Sequence, residues 1–142
     1  MEAIDSMTEA IIGEAIEVHR ELGPGLLEST YEACLGALLV RRGLQVERQV
    51  TMPLTFRGVS IDCGYRLDIL VERRLVVELK TVAKLEAVHM AQMMTYLKLS
   101  GCVVGLLINF NVARLTDGVR RVVRGYPERT SASSDPSASL CD

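Results

Sequence analysis

The chain has 142 residues, of which 49% are hydrophobic and 24% charged, with 16 basic and 18 acidic side chains. No apolar run approaches the roughly 18 residues of a membrane-spanning helix, and the acidic start MEAIDSMTEA is unlike a signal peptide, so we expect a cytoplasmic protein with one hydrophobic core and no membrane partner. The four cysteines lie far apart without a CxxC pair, so neither a zinc site nor a disulfide framework is expected.

Two helices are predicted first. Over residues 4–22 the apolar side chains recur at spacings of three and four with glutamates between them, which is typical of an amphipathic helix. The sequence Gly23-Pro24-Gly25 ends this helix. A second periodic stretch begins at Leu27 and runs until Gly43, which is well placed as a C-terminal cap.

Three strands are predicted next. β-Branched residues and short alternation mark the segments LQVERQVTMPLTF, VSIDCGYRLDILV and LVVELKTV. Arg57-Gly58 and residues 72–74 are the expected turns between them. We interpret this part of the chain as a three-stranded antiparallel meander.

The rest of the chain predicts a helix, a buried strand, an edge strand and a tail. Residues 86–100 return to helical spacing and stop at Gly101, CVVGLLINF is predicted as a fully buried strand, and GVRRVVRG as an edge strand. Residues 1–124 are therefore expected to form one α/β (α+β) domain of order αα-βββ-α-β, with a central mixed sheet flanked by helices. Residues 125–142 are expected to form a disordered Ser-rich tail.

Charge is distributed unevenly along the chain. Residues 1–32 carry eight acidic side chains and one basic, whereas residues 33–124 carry seven acidic and fourteen basic. The basic part predicts a face that binds phosphate groups, and the alternative interpretation is a solvated charge pattern.

Three charged residues indicate a chemistry. If the hairpin turn comprises residues 72–74, pairing places Asp68 opposite Glu78, and alternation places Lys80 on the same face as Glu78. Two facing carboxylates repel, so a cation is expected between them, and oxygen ligands favour Mg²⁺ or Mn²⁺. Lys80 would then stabilise the transition state or orient the attacking water. A two-residue turn would instead separate the acids onto two faces, and Lys80 would have no catalytic role if it only forms a salt bridge.

A family resemblance agrees with this interpretation. GLLESTY, residues 25–31, matches the GxxExxY signature of a family of small bacterial proteins, and the similarity continues through AIEVHRELGPGLLESTYE, VSIDCGYRLDILV, VVELKTV, AQMMTYLK and GLLINFNV, over roughly residues 8–124. That family resembles the PD-(D/E)XK nuclease superfamily, whose core of helix, three-stranded meander, helix and strand has the order predicted above. The resemblance implies that Asp68 and Glu78 bind metal and that Lys80 assists catalysis.

The resemblance also implies roles for two helical residues. Glu28 would be the helical acid that completes the metal shell, although an acid at a helix N-terminus is also favoured by the helix dipole alone. Tyr31 is expected one turn further on the same face. Gln92 and Tyr96, spaced i and i+4 on the third helix, would both point towards this site, where Gln92 would hold a phosphate or a water. For Tyr96 a position in the core is the favoured alternative.

The resulting hypothesis is a Mg²⁺- or Mn²⁺-dependent nuclease acting on DNA or RNA. Its catalytic residues would be Asp68, Glu78, Lys80, Glu28 and Gln92, and its metal ligands Asp68, Glu78 and Glu28. The alternative is a self-assembling homo-oligomeric scaffold on the same fold, whose acidic first helices meet the basic remainder of a neighbouring subunit, which would account for the charge distribution and the mean hydropathy of +0.22. A third hypothesis is a module that binds a nucleotide or small anion without turnover.

Overall fold

The structure is a computed structural model that describes residues 2–125. In this range the chain forms α1 (Glu2–Leu22), α2 (Glu28–Arg41), β1 (Val46–Thr51), β2 (Leu54–Phe56), β3 (Val59–Ile61), β4 (Arg66–Val71), β5 (Leu75–Lys80), α3 (Ala87–Ser100), β6 (Val104–Asn109), a 3₁₀ turn (Leu115–Gly118) and β7 (Val119–Val123). None of the helices described here is long and apolar enough to cross a membrane.

Five strands form one mixed sheet in the order β1-β4-β5-β6-β7. β5 and β6 are parallel and are connected through α3, whereas the other neighbouring pairs are antiparallel. β2 and β3 form a separate two-stranded hairpin. The predicted α+β class with a mixed sheet and flanking helices is confirmed.

Two apolar clusters cover the two faces of the sheet. One joins the sheet to α1 and α2 and includes Ile11, Leu35 and Val77, and the other joins it to α3 and includes Val76 and Met93. Along β5 the side chains alternate between these clusters, as the pleat of a strand requires. The even-numbered residues of β5 therefore face α3.

The predicted meander is present as β1, β4 and β5, but its first two segments are each divided. Pro53 lies between β1 and β2, and it cannot donate a hydrogen bond to a strand ladder. Between β3 and β4 the N–H of Gly64 donates to Oδ1 of Asp62 at 3.1 Å, and Gly64 has a φ of 78°, which favours glycine. The small hairpin β2–β3 is thus set apart from the main sheet.

The other predicted elements agree with the structure. α1, α2 and α3 are the three predicted helices, β6 is buried along its whole length, and β7 lies at the edge of the sheet. Of the tail predicted for residues 125–142, all but Gly125 lies outside the described residues.

Candidate active site

The β4–β5 hairpin determines which residues face each other. Its turn comprises residues 72–74, and Val71 pairs with Leu75, which confirms the predicted register. Glu72 adopts a left-handed φ of 54°, which is costly for a residue with a Cβ. Two hydrogen bonds stabilise it, because the N–H of Gln45 donates to the Glu72 carboxylate at 2.7 Å and the N–H of Glu72 donates to the carbonyl of Gln45 at 2.8 Å.

Beyond the pair Ile69–Val77, the hydrogen bonds between β4 and β5 are accepted by carboxylate oxygens instead of backbone carbonyl oxygens. The N–H of Asp68 donates to Oε2 of Glu78 at 2.8 Å, and the N–H of Leu79 donates to Oδ2 of Asp68 at 2.9 Å. The two acids therefore face each other across the hairpin. Each of these hydrogen bonds uses one oxygen of its carboxylate.

The ribbon formed by β1 and β4 changes face at the level of Asp68. Leu67 packs in the α3 cluster and Ile69 in the α1–α2 cluster, although regular alternation would place both on one face. Opposite Asp68 in the register lies Gln49, which has a left-handed φ of 54°. At the same level the Asp68 carboxylate accepts from the N–H of Leu79 on the neighbouring strand.

Burial makes the two acids difficult to ionise together. Glu78 is 3% exposed, and this burial, followed by the nearby Asp68 carboxylate, raises the pKa of Glu78 to about 9. Burial also raises the pKa of Asp68, and the Glu32 carboxylate raises it further. A pair of this kind holds a proton unless a cation is bound beside it.

Lys80 and Gln92 meet at the same end of the sheet. Nζ of Lys80 donates to Oε1 of Gln92 at 2.8 Å. Gln92 is on the exposed side of α3, which begins with a capping box in which the Glu86 side chain accepts from the His89 N–H and the His89 ring accepts from the Glu86 N–H. The start of α3 is thereby fixed beside the end of β5.

Glu28 is an exposed residue at the start of α2, close to the other charged groups. Its pKa is raised by partial burial and by the Asp68 carboxylate, and it is lowered by Lys80 and by hydrogen bonding to Thr81. The structure therefore brings Glu28 to the rim of the Asp68–Glu78 pair.

Tyr31 does not share that face, so this prediction is wrong. Its side chain is fully buried and stacks on Phe110, with ring centroids 4.4 Å apart. The hydroxyl donates to the carbonyl of Gly23 at 2.5 Å and accepts from the N–H of Leu26 at 3.1 Å. Tyr31 fixes the turn between α1 and α2, and through that turn it sets the position at which Glu28 begins α2.

Asp68 and Glu78 would supply part of the ligand set of a divalent ion. Over residues 2–125, no three or more His, Cys, Asp or Glu side chains are arranged to hold one metal ion. Asp68 and Glu78 alone still fit Mg²⁺, which is commonly bound by one or two carboxylates with waters and substrate oxygens as its other ligands. Glu28 would reach such an ion only after a side-chain movement.

Sequence reasoning missed a buried polar cluster beside Asp68. Glu32 is 5% exposed, and its carboxylate accepts from Nε of Arg48 at 2.9 Å and from Nε2 of Gln49 at 2.7 Å. Its only signal in the sequence is an acid next to Tyr31, a core position of α2. Glu32 holds the left-handed Gln49 in place on β1.

Asn109 was also missed. It is 1% exposed at the end of β6, next to Lys80 in the parallel register. Its Oδ1 accepts from the N–H groups of Val82 and Asn111, each at 3.1 Å, and its Nδ2 donates to the carbonyl of Val82 at 2.9 Å. A single amide within the otherwise apolar run CVVGLLINF was the available signal.

Tyr96 is half-buried: it packs against the α3 core cluster and also lies near the acids, so both predicted positions are met in part. Its ring makes a T-shaped contact with Tyr65, with centroids 6.2 Å apart. Burial raises the pKa of Tyr96, and the Glu78 and Asp68 carboxylates raise it further. The two tyrosines form an aromatic wall on the α3 side of the site.

A mixed sheet between helices, with two acids on adjacent strands and a lysine two residues after the second acid, defines a nuclease-like class of protein. The sequence profile of the PD-(D/E)XK nuclease superfamily matches residues 5–122, and the chain belongs to this superfamily. Nucleases of this superfamily generally use divalent metal ions.

Among solved structures the chain is similar to one titled "Crystal structure of SSO0001", with 18% identity and a TM-score of 0.48 over 67% of this chain and 48% of that chain. The chain thus spans about half the length of that protein. No curated protein matches the sequence.

Proposed function

We propose that the chain is a nuclease of the GxxExxY family that depends on Mg²⁺ or Mn²⁺, with residues 1–124 as its single domain. Its substrate would be a phosphodiester bond of DNA or RNA. The observation that carries this proposal is the pair of buried Glu78 and half-buried Asp68, which lies at the same end of the sheet as Lys80 and Gln92. Membership of the nuclease superfamily supports it.

Asp68 and Glu78 are the proposed metal ligands. Their burial and mutual repulsion disfavour ionisation of both, and a bound cation would offset that cost. A divalent ion held there would make a water more acidic and polarise a phosphoryl oxygen. Glu28 at the rim is proposed as a third acid that approaches when substrate is present.

Lys80 is proposed to act on the reacting phosphate. An ammonium group has three donors, and one is used by Oε1 of Gln92, which leaves two for a phosphoryl oxygen and the attacking water. Its positive charge offsets the negative charge on the phosphoryl oxygens in the transition state. Because Oε1 of Gln92 accepts from Lys80, the amide nitrogen of Gln92 is available to donate to a phosphate.

Isothermal titration with Mg²⁺ and Mn²⁺ tests the proposal, together with hydrolysis of labelled DNA and RNA. We expect wild type to bind and cleave, and Asp68→Ala to lose both. Asp117→Asn is the matched control, because its side chain is 64% exposed and is paired only with the nearby Arg114. Absence of metal binding even at millimolar Mn²⁺, or equal binding by Asp68→Ala, would contradict the proposal.

A homo-oligomeric scaffold without turnover is the second proposal. Leu27 and Val40, at the two ends of α2, are 73% and 58% exposed, and an interface between subunits would cover them. The charge distribution supports it less, because three ion pairs already join acids of residues 1–32 to later arginines of the same chain: Arg42–Glu14, Arg48–Glu32 and Arg121–Asp5. Light scattering that finds a discrete oligomer, dissociated by Leu27→Ser and unaffected by Asp68→Ala, would favour the scaffold.

A further inference from the structure

The hairpin β2–β3 extends from the sheet at the end where the acids lie. We call residues 52–65 the arm. At its base the N–H of Met52 donates to the carbonyl of Tyr65 at 2.8 Å, which continues the pairing of β1 with β4. Tyr65 is three residues before Asp68, so the arm begins next to the candidate active site.

One face of the arm is apolar and uncovered. Leu54 pairs with Ile61 and Phe56 with Val59, and directly opposed residues of an antiparallel pair share a face. Phe56 and Val59 are 57% and 59% exposed, and neither belongs to the two apolar clusters of the described residues. Thr55 and Ser60 form the other, polar face. A two-stranded hairpin alone is only marginally stable in water, so a partner that covers this apolar face would stabilise the arm.

The aromatic residues are divided between the core and this end of the molecule. Among the described residues, Tyr31 and Phe110 stack in the core. The other three, Phe56, Tyr65 and Tyr96, lie on the arm, at its base and beside the acids. Proteins that bind single-stranded nucleic acid stack its bases on aromatic side chains that lie beside positive charge.

Positive charge accompanies the aromatic residues. The guanidinium carbon of Arg57 lies 5.6 Å from the centroid of the Phe56 ring, at the tip of the arm. Arg57 and Gly58 have φ values of 51° and 81°, a turn conformation in which Asn or Gly is preferred over Arg. Arg66, at the base of the arm, is exposed and has no carboxylate partner within residues 2–125.

We propose that the arm binds single-stranded nucleic acid, with an unpaired base stacked on Phe56 and phosphates beside Arg57 and Arg66. The strand would then pass Tyr65 and Tyr96 to reach the acids. This inference rests on the proposed nuclease function and adds the strandedness of its substrate. Base faces are accessible in a single strand and covered by their neighbours in a duplex.

The size of the apolar face favours bases over a second copy of this chain. Strands of three residues, about 3.3 Å each and roughly 5 Å apart, give a face of roughly 100 Å². A stable protein interface needs about 800 Å² on each partner. An apolar face of this area is comparable to the flat surface of one or two nucleotide bases.

Fluorescence anisotropy with a labelled 20-nucleotide single strand, and with the same sequence as a blunt duplex, tests the inference. Measurements in a chelator prevent hydrolysis, so binding is separated from turnover. We expect wild type to prefer the single strand, and Phe56→Leu to weaken single-strand binding by at least about fivefold. Phe56→Trp should bind like wild type, and Thr55→Ala on the polar face is the matched control.

A second variant tests the charge. Arg57→Gln should reduce the slope of log affinity against log salt by about 0.7, the value for one phosphate contact on a single strand. This measurement is independent of the apolar face, so it remains decisive if Phe56→Leu disturbs the hairpin.

The possible results separate the two proposals. Equal binding of single strand and duplex, unchanged affinity of Phe56→Leu, or loss of an oligomer in Phe56→Leu during light scattering would each overturn the arm proposal. Phe56-dependent binding without hydrolysis in Mg²⁺ or Mn²⁺ would support the arm and overturn the nuclease. Hydrolysis at the same rate by wild type and Phe56→Leu would support the nuclease and overturn the arm proposal.

Discussion

The buried acid Glu78 should make the metal-free protein less stable as the pH rises. Glu78 has its pKa raised from 4.5 to about 9 in the folded protein, mainly by burial. Between these values the folded state holds a proton that the unfolded chain has released, so the contribution of Glu78 to stability is greatest below pH 4.5 and falls as the pH increases. The decrease has a limiting slope of about 1.4 kcal/mol per pH unit, or up to about 2.7 kcal/mol from pH 6 to pH 8.

Glu78→Gln should remove this dependence. The amide has the shape of the protonated acid, so its oxygen can still accept from the N–H of Asp68 and its nitrogen can donate to the Asp68 carboxylate. We expect the variant to be nearly as stable as wild type below pH 5 and more stable at pH 8, by up to about 4 kcal/mol. This difference in the free energy of unfolding is the stability that wild type loses at pH 8 because residue 78 is an ionisable acid.

Urea denaturation in a chelator at pH 5, 6, 7 and 8 provides the measurement. The difference between wild type and Glu78→Gln is the relevant quantity, because titrating groups that are remote from Glu78 contribute equally to both proteins. In a second series Mg²⁺ replaces the chelator. At a hundred times its Kd, Mg²⁺ should stabilise wild type at pH 8 by about 2.7 kcal/mol, and it should not stabilise the variant. A difference that stays constant from pH 5 to pH 8 would refute the reasoning.

Three further predictions concern the groups around the acids. Gln92→Ala removes the hydrogen-bond partner of Lys80 at an exposed position, so hydrolysis should slow about tenfold while the urea midpoint stays unchanged. A parallel loss of stability would contradict this role of Gln92. Asn109→Ala removes three buried hydrogen bonds and should cost about 2–3 kcal/mol in urea denaturation, and a variant as stable as wild type would show that the amide is dispensable. Tyr31→Phe keeps the stacked ring and should cost about 1 kcal/mol in thermal unfolding, whereas a cost near zero would mean that the hydroxyl bonds contribute nothing to stability.

The helices and the hairpin register follow from local sequence. Spacings of three and four identify α1, α2 and α3, and Gly101 ends α3 in the left-handed conformation that favours glycine. The three-residue turn 72–74 alone is enough to place Asp68 opposite Glu78. These features depend on neighbours within a few residues of one another, and periodicity and turn length record such neighbours directly.

The division of the meander was not predicted, although part of its cause is visible in the sequence. Pro53 marks the end of β1, but a single proline does not say whether a strand stops or continues at an edge. The interruption of the meander depends on the pairing of β2 with β3, and this pairing is visible only in the folded chain.

The chemistry of the site depends on contacts that no local pattern records. Glu32 finds Arg48 and Gln49 sixteen and seventeen residues away, and Asn109 finds Val82 twenty-seven residues away. Sequence placed Asp68 opposite Glu78, but only the folded sheet buries the pair and turns both carboxylates toward the opposing backbone. Burial and partner geometry are properties of the whole packed chain, and they decide how these acids ionise.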